Sequence, residues 1–162
     1  MELSNDDLVA PFAEAIYAKS RWLAKWDVQL DMKRRARLLE SISDDIKKVG
    51  NFLPHHVSEA AASWAEDLKV DLSQMTWHDQ PSFDAGRELF HVEHMVPVSD
   101  IRKVCFEASS VGEIVEILKT KLRVVWILKE EDDRLTQRGY RSKRVNPEQA
   151  YKEAGIELRP HL

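Results

Sequence analysis

Two stretches decide how this chain folds: Glu88–Val98, ELFHVEHMVPV, and Arg123–Arg138, RVVWILKEEDDRLTQR. In the first, Phe90, Val92, His94 and Val96 alternate with His91, Glu93 and Met95, the period of two that a β-strand imposes. The second opens on Arg123–Leu128, a β-branched and aromatic run that favours another strand. Lys129–Arg138 follows directly. Its acidic beginning and basic end match the polarity of a helix dipole, and Gly139 can end it. The order is therefore strand, excursion, strand, helix. It brings a carboxylate and an imidazole at the end of one strand toward an acidic cluster at the start of a helix, where a small strand–strand–helix unit can hold a divalent metal.

Outward from this core the chain reads as helices. Ser4 and Asp7 have capping-box spacing, and Leu8, Phe12, Ala15, Ile16 and Lys19 continue with helical periodicity to about Trp22 or Trp26. A second helix is expected from Asp31 to Gly50 on the stripe Leu38, Leu39, Ile42, Ile46 and Val49, with Lys33, Arg34, Arg35 and Arg37 as a basic face. Pro54 is read as opening a third helix through Leu68, so the first ~70 residues are expected to be all helical. Asp71–Gly86 is polar and turn-prone, Ser110 and Glu113 cap a short helix inside the excursion, and Asn146-Pro147 caps a last helix ending at Gly155. The expected fold is α+β, a mostly helical single domain over 1–162. It comprises a helical support region at 1–70, the strand–strand–helix unit with its helical excursion at 88–139, and a carboxy-terminal loop and helix at 140–162.

Composition narrows the function classes. With one cysteine, Cys105, a disulfide framework and a zinc knuckle of cysteine pairs are both excluded, and no cationic neighbour activates the thiol. No apolar run approaches a membrane span and MELSNDD lacks the features of a signal peptide, so a cytoplasmic location without membrane contact is expected. No glycine-rich phosphate loop is present, which argues against nucleotide hydrolysis. The net charge of −4 conceals an uneven distribution. Between Arg134 and Arg144, five cations, Arg134, Arg138, Arg141, Lys143 and Arg144, occur without an acid. They can neutralise phosphates locally, or can be a solvated helix end and loop. Trp22, Trp26, Trp64 and Trp126 fall on apolar faces and are expected in the core. His55-His56 is read as an exposed helix cap, and Phe83 and Trp77 as core cover.

The segment Glu93-His94-Met95-Val96-Pro97-Val98-Ser99, followed by WILKEEDDRL, Asn-Pro and AYKEAGIEL, resembles the HNH, or ββα-metal, nuclease superfamily, in particular HNH-like proteins common in phages and bacteria. The resemblance spans about 70 residues and leaves the amino-terminal half untouched. It implies a metal-dependent endonuclease that hydrolyses phosphodiester bonds, with double-stranded DNA as the expected partner. It puts His94 in the position of the general base, Glu93 in that of a metal-ligand carboxylate, and Asp132 where the family has its final metal-binding histidine. The family's middle asparagine would fall near Arg123, and the excursion from Asp100 to Leu122 is longer than the family's simplest hairpin.

The residue chemistry suits these roles. An imidazole titrates near ~6.5 and accepts a proton from water at neutral pH. Glu93 and Asp132 are hard oxygen donors matched to Mg²⁺ or Mn²⁺, with His91 as an additional ligand. Arg138, Arg141, Lys143 and Arg144 are the candidates for nucleic-acid contact. Each also has a bland role: His94 as a hydrogen-bonded strand histidine, Glu130–Asp133 as a dipole-favoured helix start. A catalytically inactive HNH-like protein that binds or inhibits a protein or nucleic-acid partner is the alternative in another class.

Overall fold

Ser4 accepts a hydrogen bond from the Asp7 amide at 3.2 Å while the Asp7 carboxylate accepts from the Ser4 amide at 2.9 Å, so the capping box read from sequence starts the first helix. In the computed structural model, which describes residues 2–160, the elements run α1 (Asn5–Trp26), α2 (Met32–Val49), β1 (His56–Val57), α3 (Glu59–Leu68), β2 (Phe90–His94), α4 (Val98–Glu107), α5 (Val111–Lys121), β3 (Val124–Leu128), α6 (Lys129–Gln137) and α7 (Pro147–Glu153). The architecture is α+β, mainly helical with one small sheet. Among the described residues no helix is long and apolar enough to cross a membrane.

Two compact units form. One runs from the amino terminus to Leu53 and takes in Val98–Leu122; the other comprises Pro54–Pro97 and the chain from Arg123 onward. The first holds α1, α2, α4 and α5. Val9, Ala13, Ile16, Ser20 and Leu23 give α1 a buried stripe at helical spacing, matched by Ile42, Ile46 and Val49 on α2, Ile101 and Cys105 on α4, and Ile114 and Leu118 on α5. Burial pushes the Cys105 thiol up to about 11, which leaves it inert.

The second unit holds the sheet, in the order β1-β3-β2 with β3 in the centre. β2 runs antiparallel to β3 with Phe90 opposite Leu128 and His94 opposite Val124, while β1 runs parallel to β3. All five residues of β3 are buried, as a central strand requires. Its two faces build two cores. Trp126 and Leu128 pack with Phe90, Ala61, Ala65 and Leu72 on one side; Val125 and Ile127 pack with Met95, Leu135, Tyr151 and Ile156 on the other. Phe83 closes the first core, its ring 5.8 Å from those of both Phe90 and Trp126.

Several sequence expectations are corrected. The first 70 residues are not all helical: Pro54 does not open a helix, His56–Val57 pairs with β3, and α3 starts later on the Ser58 cap. The His55 side chain is buried and is not an exposed cap. The strand expected to Val98 stops at His94. Pro97 has no N–H to continue a ladder, and Val98 already begins α4, a helix the sequence reading passed over. Of the tryptophans, Trp126 is the core residue; Trp22, Trp26, Trp64 and Trp77 expose between 37% and 49% of their surface. Trp77 carries the Arg87 guanidinium 3.7 Å above its ring, so it holds a cation and does not cover the core.

Candidate metal centre

The register of β2 fixes which side chains meet. Residues two apart share a sheet face, so His91 and Glu93 lie with Met95 on the side packed by α6 and α7, whereas His94 lies with Phe90 and Val92 on the Trp126 side. Because β3 is antiparallel, Leu128 ends opposite Phe90, and α6 leaves the sheet beside the beginning of β2. One turn into α6, Asp132 reaches His91 with Oδ1 3.8 Å from Nε2.

His91, Glu93 and Asp132 each offer a ligand atom, and the three atoms lie within 4.8 Å of one another. A cation bonded at ~2.1 Å separates its ligand atoms by up to about 4.2 Å, so ligation by all three would need a small side-chain closure. His91 and Asp132 keep 38% and 29% of their side chains exposed, which opens the cluster to solvent, while Glu93 is buried beneath them. One imidazole and two carboxylates are borderline-to-hard donors, suited to Mn²⁺, Mg²⁺ or Zn²⁺.

Glu93 is already engaged. Arg144 Nη2 donates to its Oε2 at 2.8 Å, and the Tyr151 hydroxyl donates to its Oε1. Arg144 also donates from Nη1 to the carbonyls of His94 and Met95 at 3.0 and 3.1 Å, and from Nε to the Tyr140 carbonyl at 2.7 Å. Only 2% of its side chain is exposed. Burial, followed by the charge of Glu93, holds the proton on Tyr151 far above the ordinary phenol range. In place of an isolated carboxylate, the site presents one whose charge is balanced by a buried guanidinium.

The other acids divide the same way. Glu131 is 2% exposed and structural: its Oε2 accepts from the Ser58 hydroxyl at 2.6 Å and from the Leu128 amide at 2.9 Å, tying the start of α6 to the start of α3. Glu130 and Asp133 point to solvent. The acidic run at 130–133 thus contains one ligand candidate, one buried cap and two solvated charges.

Of the sequence-predicted site residues, the fold brings together His91, Glu93 and Asp132. It does not bring His94 to them, because adjacent residues of a strand face opposite ways. It also removes Arg144 from the nucleic-acid set: a guanidinium enclosed by Glu93 and three carbonyls has no face left for a phosphate. Arg138, Arg141 and Lys143 are exposed, and neither Arg141 nor Lys143 has a carboxylate partner among the described residues. Tyr151 and Ser58, which position Glu93 and Glu131, were missed, since they lie 58 and 73 positions away from their partners with no local pattern to reveal them. No family model, no curated protein and no solved structure matches the chain.

Proposed function

We propose that this protein binds a divalent cation at His91, Glu93 and Asp132 and acts as an HNH-like, metal-dependent endonuclease on nucleic-acid phosphodiester bonds. The observation that carries the reading is the clustering of those three ligand atoms within 4.8 Å on an antiparallel strand pair followed at once by a helix. Mg²⁺ or Mn²⁺ bound there would supply charge stabilisation of a phosphoryl oxygen and acidify a water. His91 and Asp132 would hold it on the open side, and Glu93 from beneath, oriented by Tyr151. Arg138, Arg141 and Lys143 are the cations that would meet the phosphate backbone.

A second reading is favoured by two specific observations: His94 is on the opposite face of the sheet, and Arg144 neutralises Glu93. Under it the unit keeps its fold and binds a nucleic-acid or protein partner without cutting. Incubation of supercoiled plasmid with the protein and Mg²⁺, Mn²⁺ or Ni²⁺ separates the two. Nicking that is lost in Asp132→Ala and His91→Ala, with both variants folded, is the expected result. Intact plasmid with every metal overturns the endonuclease reading.

A further inference from the structure

The helical unit carries an open groove of about 640 Å³ that the metal centre does not use, lined by Trp22 of α1 and, at and before the start of α2, by Leu30, Lys33, Arg34, Arg37 and Leu38, with Ser41 and the single carboxylate Asp31 completing it. Trp22 is 49% exposed, so one face of its indole is open to a ligand in the groove. Lys19, one turn before Trp22, donates to Ser41 on α2 at 2.8 Å, which fixes the two walls of the groove against each other.

The cations along this wall are not consumed by structure. Lys33 has no carboxylate partner among the described residues. Arg34 meets Asp31 at 3.4 Å and Arg37 meets Glu40 at 2.7 Å, but these side chains are 80% and 74% exposed, and such pairs are weak and readily exchanged. The Asp31 carboxylate caps this helix by accepting from the Arg34 amide at 2.9 Å, but Met32–Arg37 after it holds four cations and no further acid in the opening turns, against what the dipole favours. A local choice that opposes its own secondary structure marks a place where something other than folding stability is served.

We propose that this groove binds single-stranded nucleic acid, one base stacking on Trp22 while Lys33, Arg34 and Arg37 meet the flanking phosphates. A flat apolar ring beside several cations matches a ligand that alternates flat bases with anionic phosphates. The inference is independent of the metal centre. Val28 and Met32, exposed at the turn between α1 and α2, make an anionic bilayer the competing occupant.

The test is fluorescence anisotropy of a fluorescein-labelled 15-nucleotide oligo(dT) with the full chain in EDTA, so that binding is read without the cation that cleavage would need. Trp22→Ala is expected to weaken binding about 10-fold, within the range of one lost base stack. Lys33→Ala with Arg37→Ala is expected to flatten the log–log salt dependence by about 1.4, from two lost phosphate contacts at ~0.7 each. His91→Ala with Asp132→Ala is expected to bind the oligonucleotide like the wild type, so a failed metal centre and a failed groove are told apart. Wild-type affinity and slope in both groove variants, each with an unchanged melting temperature, would overturn the proposal. So would the absence of oligonucleotide binding at low salt alongside groove-dependent capture by phosphatidylserine vesicles.

Discussion

The two faces of the sheet are built from neighbouring residues of the same strands, yet they solve opposite problems. On the face of Phe90, Val92 and Trp126, aromatic rings close an apolar core with edge-to-face contacts. On the face of His91, Glu93 and Met95, a carboxylate, a guanidinium and a phenol are buried together, with His91 and Asp132 at the rim. Burying charge costs stability unless every partner is supplied. The polar face therefore bears the desolvation cost of its buried charges, and the apolar face secures the strands that hold it.

The largest effect is expected from breaking the buried pair on the polar face. Arg144→Ala leaves Glu93 buried beside Tyr151 without its cation and removes three donors to backbone carbonyls, so unfolding in urea should show a loss of about 3–5 kcal/mol. Truncating Phe90 to alanine should cost a similar ~3–5 kcal/mol through lost packing. The two are told apart by a third measurement. Arg144→Ala should raise Mn²⁺ affinity by about 10-fold in the fraction that remains folded, because the carboxylate loses a competitor, and Phe90→Ala should leave it unchanged. Equal metal affinity in both variants would erase the distinction between the faces.

A smaller effect is expected at the entrance to β2. Burial alone pushes the Asp84 carboxyl up, but the amides of Phe90, Leu89 and Glu88 and the Gln80 side chain more than offset it and hold the group below the ordinary carboxylate value. A depressed folded-state value contributes stability above the unfolded value and loses it as pH falls through the folded one. Asp84→Asn turns one oxygen into a donor facing other donors and should cost about 1–3 kcal/mol at pH 7. It should also flatten the fall in stability below about pH 4. An acid limb as steep in the variant as in the wild type would show that Asp84 does not anchor the strand.

The elements were legible wherever period and caps agreed. Ser4 with Asp7, Ser110 with Glu113, and Asn146 before Pro147 each cap the helix their spacing announces. The run at 124–128 and the helix after it are where β-branched and aromatic composition and charge polarity put them. What sequence could not show depends on distant partners. His56–Val57 becomes a strand because β3 offers it a parallel edge, and α4 was hidden because its apolar residues continue those of β2 across Pro97. At the site, Glu93 and Asp132 were candidate ligands by the resemblance, which their chemistry suited, and His91 was an additional one. That Arg144 is spent on Glu93 and the backbone could not, since an arginine in a basic run looks the same whether it meets phosphate or a buried acid. The opposite facing of Glu93 and His94 was already implicit in the strand period, and expecting both at one point set that period aside.

Whether His91, Glu93 and Asp132 hold a divalent cation is tested most directly by calorimetric titration of Mn²⁺ into the metal-stripped 162-residue chain. One ion per chain is predicted for the wild type, with binding abolished in the folded His91→Ala/Asp132→Ala double variant. No heat of binding in the wild type, or an unchanged isotherm in the double variant, would contradict it.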